Sequence, residues 1–405
     1  MAERAEVVVI GGGIMGASLA FALTTLGVRD VLVVERGTLA SGASGKTGAL
    51  LRQHYTNVPE ATLAHLSLQT FRNWDDVVGG DCGFAETGSI VTVATSGPDA
   101  GNIERMRRVI AMQNRVGINS EVISADQLFE LQPFTNVDDI AVAAYERESG
   151  YVDSLAATRG MAEAAIRGGA RFAEGRTVTG IGLDGGRIRG VETDAGPIEA
   201  AAVVAAAGAW SVPLLAGIGV VVPVEAQRVQ VVVLTRPLDM PADGTMTYVD
   251  TAAGFFCRNW GPNRTLAGVG GGEFHDIVDA LNWDERPNPG FGEVVKGYIA
   301  RRMPAMAKAT PLYGHAGIYD MTPDTHPILS TVDGLDGLYL MLGFSGAGFK
   351  KGPAVGQCMA ELIVHGTART VDLTPFRLSR FADESWTEPW SPDEYSFSTD
   401  FGHKF

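Results

Sequence analysis

The sequence predicts a mixed α/β fold with two bodies, one on a parallel sheet and one on a largely antiparallel sheet. Three observations carry this. The chain opens as strand, glycine turn, helix, strand, which argues for a parallel sheet. From Pro223 the texture changes to long alternating strands, "PVEAQRVQVVVLT", "TMTYVD", "GFFCRNW" and "RTLAGVG". Near the end, "LYLML", "GFSGAGFKKG" and a helical run return to strand–turn–helix. The chain thus leaves its first body and comes back to it, with no internal repeat.

Each element has a local reason. Glu6–Ile10 is a β-branched strand, Ile14 to about Leu26 a helix of helical composition, and Asp30–Val34 a second strand. Val7 to Val28 carries no charge and is long enough to span a bilayer, but strand, glycine break and helix account for every residue, so no span is expected. Ala61–Val78 spaces Leu63, Leu66, Leu68, Phe71 and Trp74 as a helix does. Ser89–Ala94 reads as a strand and Pro98–Val116 as a helix with a charged face. Ser124 caps a short helix, and Asp153 or Ser154 caps Ala156–Arg167. A β-meander follows, its strands parted by Asp-Gly-Gly and Asp-Ala-Gly turns, then a buried strand Ala202–Ala206. Helices are expected at Glu293–Arg302 and Ala354–His365, with a strand at Leu338–Leu342. The tail 382–405 interleaves aromatic residues with acids and prolines, and reads either as an arm packed on its own body or as a subunit contact.

Composition narrows the function. The chain has 405 residues, 45% hydrophobic and 20% charged, enough for two or three domains. A net charge of −15 repels phosphate backbones, so nucleic acid is not an expected partner, while a small anion remains admissible in a local basic pocket. Cys82, Cys257 and Cys358 lie far apart and read as buried thiols in a reducing, cytoplasmic setting. The seven histidines form no HxH or HxxxH pair, so no metal centre is indicated.

Gly11, Gly13 and Gly16 form GxGxxG. With 51 glycines in the chain, chance alone supplies roughly one such match, so context decides. The motif follows a strand, opens a helix, and precedes a second strand that ends in Glu35. This is the Rossmann-like arrangement. Gly11 and Gly13 allow the tight turn and the approach of a pyrophosphate, Gly16 allows close helix–strand packing, and the helix start, Ile14 and Met15, offers amides to phosphates. Glu35 would accept hydrogen bonds from a ribose. These residues alone leave NAD and FAD open.

Three stretches in order are more specific than one motif: "VVVIGGGIMGASLAFALTTLGVRDVLVVERG", "AAAVVAAAGAWS" and "TPDTHPILSTVDGLDGLYLMLGFSGAGFKKGPAVGQCMAELI". Over nearly its whole length the chain resembles the D-amino-acid oxidase superfamily of flavoproteins, and within it the sarcosine oxidase and dimethylglycine dehydrogenase group. The resemblance implies FAD, and an FAD-binding domain assembled from 1–84, 147–220 and 323–381. The rest, 85–146 and 221–322, forms the substrate domain.

It also implies roles. The loop after the second strand, with Arg36, Ser44, Gly45, Lys46, Thr47, Ala49 and Leu50, runs along the flavin. Arg52 falls where sarcosine oxidases place an arginine for the substrate carboxylate, and Lys350 matches the lysine of the final flavin loop; the rival for each is a surface position. Lys351 is then the exposed neighbour. Gly343, Gly346, Ala347, Gly348 and Phe349 lead into the last helix, whose amides face the pyrimidine edge. Ala207 and Gly208 with Ala209 and Trp210 lie beside the isoalloxazine or ribityl chain, Trp210 being equally readable as core. Arg176–Val178 meets adenine. His54 and Tyr55 either line the site or pack near it, and His326 is either a site residue or a plain loop histidine.

The expected reaction places the substrate C–H over flavin N5, anchored by its carboxylate, and passes a hydride to N5 to leave an imine that water hydrolyses. The substrate is a small carboxylate-bearing amine: N-methyl, cyclic or D-amino acid. The alternatives are a 2-hydroxy-acid dehydrogenase of the same fold and a non-catalytic flavin-bearing assembly subunit. Two departures matter. Gly317 stands where some relatives attach FAD through cysteine, so non-covalent FAD is expected. Leu266 and Val269 stand on the strand where some oxidases carry lysine and histidine, which favours a dye, protein or quinone acceptor over oxygen, with Lys46, Lys350 and His54 as substitute cations. The oligomeric state is open.

Overall fold

The computed structural model describes residues 3–96, 102–241, 244–270 and 276–383. The tail from 384 onward, named above as an arm, and 97–101, named as the start of a helix, lie outside the described residues.

The mixed α/β expectation holds. One sheet has eight strands around a parallel core in the order Leu335–Leu342, Ile198–Ala205, Glu3–Ile10, Val31–Val34, Arg171–Ala173. The meander Val178–Asp184 and Arg187–Thr193 flanks it, and Ile328–Val332 pairs antiparallel with Leu335–Leu342. Val8, Val9, Val31 and Val33 are wholly buried, as strands covered on both faces require. On one face the helix Ile14–Thr25 packs among Leu19, Leu23, Ala157, Met161 and Val355 from three helices. Twelve residues is the length of that helix, and among the described residues no helix is long and apolar enough to cross a membrane.

The second sheet has nine strands. Ser89–Ala94, Ser120–Ser124 and Ile140–Glu146 join strands between 225 and 321 in it. Its longest pair is Glu225–Thr235 against Pro311–Met321. A small sheet of Leu50–Leu51, Gly150–Tyr151 and Ala85–Glu86 lies apart from both.

Caps account for where helices differ from the pattern. Asn57 accepts the Glu60 N–H and Pro59 fits the first turn, so the helix expected from Ala61 begins at Val58. It ends at Arg72, and Asn73 separates it from a short turn Trp74–Val77. Ser124 and Gln127 form a reciprocal capping box, and Asp153 accepts from Leu155 and Ala156.

Candidate active site

The parallel strands all point their carboxyl ends at one place. Ile10–Gly11, Val34–Arg36, Ala206–Gly208 and Met341 line a cavity of about 520 Å³ there. Gly11 sits at φ +111°, and a Cβ on it would stand 2.7 Å from the Ala206 carbonyl oxygen, so the turn requires glycine. A Cβ on Gly16 would meet the Gly11 carbonyl at 2.0 Å, which is the close packing the motif provides. Gly13 is the N-cap of the helix and has no side chain of its own to accept from the first amides. The Ile14 N–H donates to Ser44 Oγ at 2.9 Å, and Ser44 shares the lining with Gly13, Ile14 and Met15.

At one end of the cavity stand Glu35, Arg36, Thr177 and Val178. Glu35 accepts from the Gly12 N–H at 2.7 Å and the Gly37 N–H at 2.8 Å, leaving each carboxylate oxygen capacity for a further donor. The Arg176 side chain turns instead to Glu3, Thr193 and Gly196. Trp210 lines the same cavity, its Nε1 donating to the Ala280 carbonyl at 2.7 Å and its ring under Arg36 at 4.6 Å. At the other end are Lys46, Thr47, Tyr319, Asp320, Gly346, Gly348 and Phe349. Gly346 has φ +77°, and a Cβ there would lie 2.5 Å from the Tyr319 ring. Ala207 and Gly208 line this cavity, whereas Ala209 is buried against Ala226 and Ile318. Gly16, Gly45 and Gly343 stand behind the lining: Gly45 faces the Ala40 carbonyl and Gly343 the Thr322 methyl.

A smaller cavity of about 120 Å³ opens from that end, sharing Lys46, Thr47, Ile318, Tyr319, Gly346 and Phe349. Arg52, Lys350, Ala49, Leu50 and Ala347 line it from the first body. Gln227, Val229, Gln230, Val231, Phe256 and Val269 line it from the nine-stranded sheet. Among the described residues, Lys46, Arg52 and Lys350 are the basic side chains in its lining, and no acidic one joins them. Lys46 is engaged, with Glu285 at 2.7 Å and the Trp283 ring at 4.7 Å.

Residues 6–362 match the family model for FAD dependent oxidoreductases. The chain belongs to that family. Among curated relatives, it is 30% identical to the mouse (Mus musculus) mitochondrial pyruvate dehydrogenase phosphatase regulatory subunit over 90% of this chain and 42% of the relative. It is 29% identical to mouse mitochondrial sarcosine dehydrogenase over 99% of this chain and 45% of that one. The chain thus spans less than half the length of these relatives. Among solved structures, L-proline dehydrogenase from P. horikoshii superposes with a TM-score of 0.85 at 26% identity, covering 94% of this chain and 99% of that one.

The cradle of this FAD dependent oxidoreductase fits its family's cofactor. A helix start whose N-cap residue is a glycine meets a cavity where side chains at Gly11 and Gly346 would clash, and a second glycine loop, Gly346 and Gly348, adds to the lining. Three non-glycine residues in or next to the linings hold left-handed backbone: Ala40, beside Ser41, at φ 64°, Ala49 at 50° and Ser345 at 48°. Such conformations concentrate at functional sites.

Behind Arg52 and Lys350 lies a buried ionic cluster. Lys351, expected on the surface, is wholly buried and pairs with Glu60 Oε1. The single turn Phe349–Lys351 rolls it under the helix Val58–Arg72, so the flanking helix, not water, supplies its partner. Glu60 Oε2 meets His326 Nδ1 at 2.7 Å and Asn57 Nδ2 at 3.1 Å. Burial would raise the Glu60 carboxyl, but Lys351 and His326 outweigh it and hold the group far below the usual range. The Tyr55 ring lies 4.6 Å from both the Arg52 guanidinium and the Lys351 ammonium. His54 is fully buried and outside both linings. Burial, helped by Arg52, pushes it down to about 3, so it is neutral, held by Gln113 at 3.1 Å.

Sequence reasoning missed Glu60, Gln227, Tyr319 and Asp320. Asp320 accepts from the Gly343 N–H at 2.7 Å, and burial raises it to about 6 against the pull of backbone amides. A signal existed for Tyr319 and Asp320, three and two residues before the Thr-Pro-Asp turn; Gln227 had none, since alternation cannot tell which face of a long strand meets a cavity.

Proposed function

We propose that the chain is an FAD-dependent enzyme that oxidises the C–N bond of a small carboxylate-bearing amine. The observation that carries this is the small cavity: it opens from the cofactor cavity, holds Arg52 and Lys350, and among the described residues its lining contains no carboxylate. A guanidinium and an ammonium suit a carboxylate, and the apolar walls Val229, Val231, Phe256 and Val269 suit a small aliphatic remainder. Sarcosine dehydrogenase and L-proline dehydrogenase, among the relatives, are named for substrates of this class.

Gly11, Gly13, Ile14, Met15 and Ser44 would hold the pyrophosphate, Glu35 a ribose, Val178 the adenine, and Gly346–Phe349 the flavin ring. Segments 1–84, 147–220 and 323–381 make up this cofactor-binding domain, with 85–146 and 221–322 as the substrate domain. When bound, FAD supplies the two-electron acceptor for the substrate's hydride. The protein's part is to anchor the carboxylate, exclude water with the apolar walls and keep the amine neutral. The bond to FAD is non-covalent: among the described residues neither cavity is lined by cysteine or histidine, and a Cβ added at Gly317 would stand 3.3 Å from the Lys46 side chain. A protein or quinone acceptor takes the electrons, and three buried thiols suit a reducing, cytoplasmic setting.

Anaerobic bleaching of the flavin across sarcosine, dimethylglycine, L-proline, D-amino acids and 2-hydroxy acids tests the reading. Reduction by one amine series and not by hydroxy acids is expected. Reduction by hydroxy acids alone would replace it with the 2-hydroxy-acid reading. Reduction by none would favour a regulatory or assembly role, as the name of the first mouse relative suggests.

A further inference from the structure

The small cavity gathers three basic side chains, Lys46, Arg52 and Lys350. Glu60 is the carboxylate whose charge bears on Lys350, and both Glu60 oxygens are already taken by Lys351 and by His326 with Asn57. Lys350, one residue before Lys351, is buried and makes no hydrogen bond or ion pair among the described residues, yet it lines the cavity beside Arg52. The charged and titratable groups around it are Arg52, Lys351 and Glu60, with Lys46 and Tyr319 on the same cavity wall. Glu146 lies behind Arg52 and is tied to the Gln53 N–H at 2.8 Å and Ser149 Oγ at 2.7 Å. A third buried cation without a counter-ion is costly, and a lysine escapes that cost by losing its proton. Burial pushes Lys350 well below the usual lysine range, Arg52 and Lys351 push the same way, and Glu60 alone opposes them.

Amino acids arrive as zwitterions. Their carboxylate suits Arg52, but an ammonium nitrogen has no electron pair to assist hydride loss, and among the described residues the cavity lining offers no carboxylate to take its proton. We propose that Lys350 is uncharged in the empty site and accepts the proton of the incoming substrate's ammonium group. One transfer then makes both the neutral amine that oxidation requires and the ammonium that pairs with the carboxylate. An N–H bond of the substrate breaks and its electrons stay on the substrate nitrogen; the proton forms a bond with the lone pair of Lys350 Nζ. No proton is exchanged with solvent. Lys350 is thereby a catalytic residue as well as an anchor. The inference rests on the amine-oxidation reading above.

The test counts protons on binding to the flavin-loaded enzyme, by titration calorimetry in buffers of different ionisation enthalpy. The pH is set at about 8, above the range of about 5–6 documented for deeply buried lysines and below the ordinary lysine range. Two probes are used: acetate, which carries no proton, and 2-aminoisobutyrate, a zwitterion with no α-hydrogen to lose. Linkage predicts uptake of about one proton from buffer with acetate and about none with 2-aminoisobutyrate. Lys350→Arg keeps a cation but has no usable lone pair, so acetate should take up none and 2-aminoisobutyrate should release about one. Equal proton counts for the two probes in the wild type, or an unchanged pattern in Lys350→Arg, would overturn the proposal and leave the amine reading standing. If neither probe binds at millimolar concentration, the amine reading itself falls, and the proposal with it.

Discussion

At the scale of single residues, the cationic pair and the ionic cluster behind it make separable predictions. Truncating a charged partner in a desolvated site loses about 2–5 kcal/mol. Arg52→Met and Lys350→Met should each weaken substrate capture by roughly 30-fold or more while flavin stays bound. Rapid-reaction measurement of flavin reduction against substrate concentration checks it; unchanged affinity in both would make the two residues structural. Glu60 makes a different prediction. Its carboxyl is held below its unfolded value by Lys351 and His326 against the burial that opposes them, so it stabilises the fold above about pH 4.3, and that contribution fades as pH falls further. Glu60→Gln should lower stability at neutral pH by about 3–5 kcal/mol, because Lys351 is left buried without its counter-ion. It should also give a shallower fall of the melting temperature below about pH 4, where the wild-type contribution is lost. A variant as stable as the wild type at neutral pH would show the cluster to be energetically idle.

At the scale of elements, the loop 343–348 is the sensitive one. Gly346→Ala combines a left-handed backbone, costing about 1–2 kcal/mol, with a Cβ at 2.5 Å from the Tyr319 ring. It should weaken flavin retention by about tenfold or more. Gly290→Ala has a similar φ of +81° but nothing within 4 Å, and should cost stability without loss of flavin. Equilibrium dialysis against free flavin separates the two. Elements were also where sequence reading succeeded and failed for stated reasons. The turn at Gly11 and the caps at Ser124 and Asp153 are local, decided within a few residues, and were legible. The burial of Lys351 was not, because its partner Glu60 stands far off along the chain on a helix whose facing side only packing decides. Gln227 shares that limit: its place in the cavity follows from the register of Glu225–Thr235 against Pro311–Met321.

At the scale of the whole molecule, two bodies meet over one cofactor site, and the seam sets its reactivity. With no cysteine or histidine in either lining among the described residues, acid precipitation should release the flavin into the supernatant. Colour retained on the precipitated chain would contradict this. Oxygen accepts electrons from reduced flavin through superoxide, an anion that a nearby fixed cation stabilises. The strand Arg264–Val269 presents Val269 to the small cavity, Leu266 is wholly buried, and Lys46 is committed to Glu285. Reduced enzyme mixed with air-saturated buffer should therefore reoxidise more slowly than it turns over with a dye acceptor. Faster reoxidation with stoichiometric peroxide would point to Lys46 or Lys350 as the cation.

The order of strands in the parallel sheet also governs how the protein is made. Ile198–Ala205 is flanked on one side by Glu3–Ile10, synthesised early, and on the other by Leu335–Leu342, synthesised roughly 130 residues later. While the ribosome adds that length, on the order of ten seconds at ordinary elongation rates, an apolar strand waits with much of one edge open. The flavin loop is translated later still, so cofactor capture follows release of most of the chain. Biogenesis thus has a window in which the nascent sheet has an edge open to mispairing, and flavin supply cannot shorten it.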